Sequence, residues 1–201
     1  MSVHSDAHAV IEAAISACRP DAAVRRALEG RDFSAGVYLV AVGKAAWQMA
    51  ACAAQVLGDR LREGVVVTKY GHAMGAIPRC AIFEGGHPVP DENSFRGTRA
   101  AMDLAEKLGE GDQMVFLVSG GGSALFESPL IPGEELAAVT QALLAGGADI
   151  VEMNTVRKRL SAVKGGRFAQ LCAPAKVFAV VLSDILGDPL DMIASGPACP
   201  D

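Results

Sequence analysis

No excess of positive charge is present, no Cys-x-x-Cys pair occurs, and no apolar run approaches the ~20 residues that a membrane-spanning helix requires. Lysine and arginine together number 18 against 23 aspartates and glutamates, a net charge of -5. General nucleic-acid binding needs a basic face to neutralise phosphates, so the balance points to small-molecule chemistry instead. Cys18, Cys52, Cys80, Cys172 and Cys199 are scattered, several of them in apolar runs, and read as reduced packing thiols rather than a disulfide framework or a zinc site. The opening MSVHSDAHAVIEAA lacks the basic region and apolar stretch of a signal peptide. The sequence therefore predicts a cytoplasmic protein with neither membrane nor nucleic acid as partner.

What is present is a core: 51% of the 201 residues are hydrophobic, enough for one substantial domain. The organising stretch is QMVFLVSGGGSALFE, Gln113 to Glu127. Met114 to Val118 is apolar without alternation, the pattern of a strand covered on both faces in a parallel α/β sheet. Ser119, Gly120, Gly121, Gly122 and Ser123 then follow at its carboxyl end, where such sheets bind ligands and where glycine lets backbone amides approach an anion. A phosphate or carboxylate cradle and a plain tight turn are the two readings of this loop.

Elsewhere the chain offers further strand ends. Residues 6 to 18 and a second short segment ending at Gly30 are packing helices. GVYLVAV, Gly36 to Val42, is a buried strand turning through Gly43 into a helix that runs to about Leu57, with Lys44 in its first turn. A cation there opposes the helix dipole and is better placed if an anion shares the site. The strand centred on VVVT ends at His72, and the short strand from Cys80 to Phe83 leads to His87, with Asp91 set to cap the next helix. Further on, a helix spans Gly133 to Leu144. On a continuous helix through DIVEMNTVRKRLSAVK, Met153, Val156, Leu160 and Val163 form a core stripe beside a polar stripe of Asn154, Arg157, Ser161 and Lys164, while Lys158 and Arg159 point to water. Arg157 and Lys164 could then clamp anionic oxygens at the rim of a cleft. KVFAVVL, Lys176 to Leu182, reads as the last buried strand. Asp184 and Asp188 follow it, as turn residues or as carboxylates for Mg²⁺ or a hydroxyl nucleophile.

Together AVGKAAWQMA, VVTKYGHA, GGHPVPDENS, VSGGGSAL, NTVRKRLSAVKGGRFA and LSDILGDPLDMIASGP, in this order, resemble the glycerate 2-kinase family, also called the MOFRL family, whose members also carry the name hydroxypyruvate reductase. The resemblance runs from about Val37 to the end. It implies a Rossmann-like three-layer α/β/α sandwich with a mostly parallel sheet, here as an amino-terminal domain over residues 1–201 whose carboxyl-terminal MOFRL domain is absent. It further implies ATP- and Mg²⁺-dependent phosphorylation of D-glycerate to 2-phosphoglycerate, with a nucleotide and a small acid as partners and an oligomer left open. Lys44 matches the lysine of the family's GK motif, Ser119 to Ser123 its glycine loop, Asn154, Arg157 and Lys164 its basic helix, and Asp184 and Asp188 its SD and GD pairs. Ala198 departs from the threonine common after SGP.

By chemistry, Lys44, Arg157 and Asp184 are the catalytic candidates. The glycine loop, Asn154, Lys164, His72 and His87 are the substrate and phosphate contacts, and Asp184 with Asp188 the metal ligands. Two rivals remain. Hydroxypyruvate reduction would need a dinucleotide site, yet no GxGxxG stands in a strand-to-helix turn. A non-catalytic ligand-binding fragment, lacking its partner domain, is the other.

Overall fold

The structure is a computed structural model and describes residues 2–33 and 35–201. Five strands, β1 (Val37–Val42), β2 (Leu61–Lys69), β3 (Cys80–Gly85), β4 (Gln113–Ser119) and β5 (Lys176–Leu182), form one sheet in the order β3-β2-β1-β4-β5. Every pairing is parallel. The chain winds outward from β1 through β2 to β3, then returns to the far side of β1 as β4 and ends at β5. This reversal makes a topological switch point between β1 and β4, the place where open α/β sheets leave a ligand crevice. Register pairs Val42 with Val118, so the residues following both strands emerge side by side.

Alternation of side chains across each strand builds two cores. Leu39, Ala41, Val66, Val115 and Leu117 face α2 (Asp21–Leu28) and α3 (Ala46–Leu57), which contribute Val24, Leu28, Met49, Ala53 and Leu57. Val40, Val42, Val65, Val67, Phe116 and Val118 face the opposite layer, including Ala101, Leu104 and Ala105 of α4 (Glu92–Ala105) and Phe168 of α8 (Arg167–Leu171). There Phe116, Phe126 and Phe168 pack ring to ring, with centroids 4.8 to 5.8 Å apart. Such tilted and edge-on contacts add to the burial of each ring. Asp91 is the N-cap of α4, accepting a hydrogen bond from the Ser94 N–H while the Ser94 hydroxyl bonds the Asp91 N–H. No helix of the described residues is long and apolar enough to cross a membrane.

Four expectations are corrected. β5 is half-buried rather than fully covered, because it is an edge strand with β4 on one side only. The basic segment is not one helix: α7 (Ile150–Arg159) stops at Leu160, and Ser161 instead bridges antiparallel to Pro129. The Leu130 N–H bonds the Leu160 carbonyl at 2.9 Å and the Ala162 N–H bonds Ser128 at 2.8 Å, so tertiary pairing replaces helical pairing. The Arg167 guanidinium also donates to the carbonyls of Lys158 and Ser161, capping the helix end. Most of the two stripes consequently exchange their burial. Met153, Val156 and Leu160 are only half-buried and Val163 alone of that stripe is fully buried, whereas Asn154, Ser161 and Lys164 are buried and Arg157 is half-buried. Lys158, expected in water, is 6% exposed because its ammonium lies 3.1 Å from Asp201 and 3.6 Å from Asp191.

Candidate functional site

Three strand ends are stitched together around Gly43. This residue adopts φ +112°, and a β-carbon on it would overlap the Ser119 carbonyl oxygen. Its absence lets the β1 and β4 loops touch. The Lys44 N–H donates to the Gly120 carbonyl at 2.8 Å, and the Ala45 N–H to the Ser119 hydroxyl at 3.1 Å; Ser119 in turn donates to the Val42 carbonyl at 3.2 Å. From β2, the buried Thr68 hydroxyl donates to the Gly43 carbonyl at 3.1 Å. Ser119, 1% exposed, is therefore occupied as the staple between the loops. Lys44 stands in the turn two residues before α3 rather than in the helix's first turn.

Side chains crowd above the glycine loop. A β-carbon at Gly121, which has φ +84°, would lie 2.9 Å from His87 Cδ2 and 3.1 Å from Lys44 Cγ, and one at Gly120 would run into the Asp184 carboxylate. Glycine at both positions is what allows the imidazole, the lysine stem and the carboxylate to meet over the backbone. Lys44 Nζ lies 4.0 Å from Asp184 Oδ2, both side chains being about half exposed. His72, on the exposed turn after β2, holds Nδ1 2.9 Å from the Lys44 carbonyl. A carbonyl only accepts, so Nδ1 is the donor in this contact. Glu84 fixes this turn by accepting the N–H groups of His72 and Ala73 at 3.0 and 2.9 Å.

Charge around the loop is mixed but mainly positive. Burial lowers the His87 pKa below the ordinary value of 6.5, the cations of Lys44 and Lys69 lower it further, and Asp184 acts in the opposite sense. Lys69, at the end of β2, thus belongs to the same cluster, although the sequence reading named only its neighbour His72.

Behind the loop lies a second constellation. Lys164 is completely buried, its ammonium donating at 2.9 Å to the carbonyls of both Ser123 and Phe126. Arg157 Nη2 donates to the same Ser123 carbonyl at 3.1 Å. Between them sits Glu127, also fully buried, with Oε2 3.2 Å from Lys164 Nζ and 3.9 Å from Arg157 Nη2. The 3.2 Å contact joins Lys164 to Oε2 as a charge-assisted pair, while Oε1 finds no hydrogen-bond partner among the described residues. Burial drives the Lys164 pKa down, and Glu127 pulls it back up. Lys164 therefore faces the underside of the loop rather than an open cleft, whereas Arg157, partly exposed, also lines a cavity with Pro88, Pro90, Phe95 and Leu136. Asn154, 6% exposed, is buried one turn before Arg157. Sequence reading missed Glu127. Its only signal was an acid closing the apolar run Ala124–Phe126, which gains meaning once its distant partners are known.

The loop's other flank carries Ser195, completely buried at φ +61°, whose hydroxyl lies 3.0 Å from that of Ser123. Ala194 and Ser195 are both in the left-handed region, and the Ala194 methyl would be 2.5 Å from a β-carbon on Gly122. Strained backbone gathered against a ligand-type loop is a common property of functional sites. Asp188, at φ +50°, is on the exposed turn beyond Asp184. Among the described residues no group of three or more His, Cys, Asp or Glu side chains could hold a metal ion by itself.

Residues 6–201 match the family described as "Domain of unknown function (DUF4147)". The sequence is 56% identical over 194 residues to a protein of Thermotoga maritima named D-glycerate 2-kinase, covering 96% of this chain and 46% of that protein. It is 42% identical to a glycerate 2-kinase of Pyrococcus horikoshii, covering 87% of this chain and 40% of that one. A crystal structure of glycerate kinase from Thermotoga maritima superposes with a TM-score of 0.90 at 55% identity, over 97% of this chain and 47% of the other. The chain thus spans about half the length of the curated relatives it matches. With the parallel sheet, the loop geometry and the matched residues in agreement, the chain belongs to the DUF4147 family and is homologous to the glycerate 2-kinases.

Proposed function

We propose that this chain is the phosphate-handling part of a glycerate 2-kinase, which transfers the terminal phosphoryl group of ATP to the 2-hydroxyl of D-glycerate and releases 2-phosphoglycerate and ADP. The observation that carries the reading is the meeting of Lys44, His87 and Asp184 over Gly120 and Gly121 at the β1/β4 switch point. The names of the relatives support it. Phosphoryl transfer needs positioning and charge neutralisation more than covalent chemistry, and these groups are of the required kinds.

Lys44 holds phosphate oxygens as an exposed point charge beside the loop. His87, kept neutral by its surroundings, donates or accepts a single hydrogen bond rather than adding a fixed charge. Mg²⁺ usually takes one or two carboxylates and completes its shell with phosphate oxygens and water. A lone Asp184 above the glycine loop fits that habit, with Asp188 as the second carboxylate on the same loop. When bound, the ion would neutralise charge on the transferred group. Asp184 otherwise orients the attacking hydroxyl by accepting its proton. The facing wall of the cleft, and contacts to glycerate, come from the further length that the relatives carry, and the cytoplasm, with its ATP pool, is the matching compartment.

The test is a coupled assay for 2-phosphoglycerate with ATP, Mg²⁺ and D-glycerate, run on this chain fused to the carboxyl-terminal half of the Thermotoga maritima relative. Turnover that Lys44→Ala reduces by about 10²-fold or more is expected, the scale of losing one preorganised charge at a transferring group. A folded fusion that makes no 2-phosphoglycerate overturns the assignment.

A further inference from the structure

We infer that Glu127 is a positioning residue: by sharing its buried charge between Lys164 and Arg157, it allows two cations to grip the Ser123 carbonyl from beneath and so fixes the anion loop in its binding shape. The inference rests on reading the glycine loop as an anion cradle.

A fully buried lysine and a largely enclosed arginine converging on one carbonyl oxygen is an expensive arrangement. Lys164 and Arg157 approach the Ser123 oxygen at 2.9 and 3.1 Å, and Lys164 also takes the Phe126 oxygen at 2.9 Å. Ser123 lies within α5 (Gly122–Leu125) and Phe126 is its C-cap, and this single helical turn closes the glycine loop. Cations suit the carboxyl end of a helix, but a completely buried lysine without a counter-charge would shed its proton. Glu127 supplies that charge within 4 Å of both. Its own backbone is pinned, since its N–H donates to the Thr98 hydroxyl at 3.0 Å, and Thr98 is anchored to the Ser94 carbonyl in α4. The chain of contacts therefore runs from α4 through Glu127 and the cations to the loop.

A carboxylate serving only fold stability would be expected to have its oxygens hydrogen-bonded. Here Oε1 of Glu127 and the Nε of Arg157 are buried without hydrogen-bond partners among the described residues, and Oε2 has only the Lys164 ammonium at 3.2 Å. Buried polar groups left in that state cost stability, and where they persist they call for a functional reason. The cluster carries two positive charges against one negative. The surplus lies directly behind Ser123, in a low-dielectric setting where it favours an anion on the opposite side of the loop. Glu127 favours the charged form of Lys164, and the two cations orient the peptide and enrich the potential.

Replacing a buried ion pair by an apolar or neutral pair of similar shape often preserves stability, whereas removing one partner does not. That asymmetry separates positioning from packing. Thermal unfolding and the binding of inorganic phosphate and of ATP would be measured on the full chain for wild type, Glu127→Gln, the double variant Glu127→Gln/Lys164→Met, and Arg157→Met. Glu127→Gln is expected to melt earlier and to bind phosphate at least about tenfold more weakly. The double variant should recover most of the melting temperature yet keep the weakened phosphate and ATP affinity. Arg157→Met, whose side chain reaches the surface and whose loss leaves the Lys164–Glu127 pair neutral, should weaken phosphate binding several-fold, and it keeps the test alive if the double variant does not fold. Wild-type affinity in the folded double variant or in Arg157→Met overturns the inference and leaves the kinase reading standing. A wild type that binds neither phosphate nor ATP overturns both.

Discussion

At the residue scale the candidate site is governed by what glycine permits. Gly43, Gly120 and Gly121 have space for no side chain, since each would collide with a group from another loop. The glycine loop, Lys44, His87 and Asp184 were legible because they follow apolar runs at strand ends, a position that needs only local pattern to find. The buried acid Glu127 and the underside placement of Lys164 were not, because burial of a charge is decided by partners 30 or more residues away. His87 offers a direct check on the electrostatics. Its folded pKa lies below 6.5, chiefly from burial and then from Lys44 and Lys69. Between that value and 6.5 the unfolded chain binds more protons than the folded one, so stability rises with pH across the window and is complete above 6.5. An NMR titration should give the His87 ring a midpoint under 6.5 that moves upward when inorganic phosphate is added, since a bound anion favours imidazolium. A midpoint at or above 6.5 without phosphate, or one indifferent to it, contradicts the proximity of the lysines and the anion.

At the scale of elements, periodicity located every strand, and it failed where a tertiary contact took over. The segment after Asp149 has helical spacing as far as Lys164, yet the Pro129–Ser161 bridge ends α7 at Arg159. No local residue announces that ending. The same holds for β5, whose apolar run resembles β4 although it lies at the sheet edge. The start of α4, by contrast, was written locally in Asp91. Burial alone would raise the pKa of this carboxyl, but hydrogen bonds from the Ser94 N–H, the Tyr70 hydroxyl and the Gly86 N–H outweigh it and hold the pKa below 3.8. The contribution is therefore present above pH 3.8 and is lost as pH falls through the lower folded value. Asp91→Ala removes the cap and the 2.7 Å bond from Tyr70, and should cost about 1–2 kcal/mol, or about 2–8 °C in melting temperature. Asp91→Asn, which can still accept the Ser94 N–H, should lose less than half as much and remove the acid-range dependence. Equal losses in both variants at neutral pH would mean that the carboxylate charge, not the cap, carries the stability.

For the whole molecule, the strand order β3-β2-β1-β4-β5 places the end of β1 beside the end of β4, and this single fact turns separate sequence motifs into one crevice. The motifs alone did not dictate that order; the family resemblance implied a Rossmann-like, mostly parallel sheet without an order of strands. The same architecture shows which part of the chain contributes nothing to it. Helix α1 (Val3–Ala17) buries none of its residues, and Val10, Ile11 and Ile15 are 68%, 57% and 54% exposed. It is held by its own capping box between Ser2 and Ser5. Helices of this length are marginal in water unless an apolar face is packed, so α1 should open independently of the sheet. Hydrogen exchange should find its amides protected far less than those of β1 and β4, and removal of residues 2–17 should change the unfolding free energy by no more than about 0.5 kcal/mol. Protection approaching that of β4, or a loss beyond about 1 kcal/mol on deletion, would mean that the apolar side of α1 is covered in solution. Dependence of that protection on protein concentration would then identify a second copy of the chain as the cover, because only an intermolecular contact strengthens by mass action.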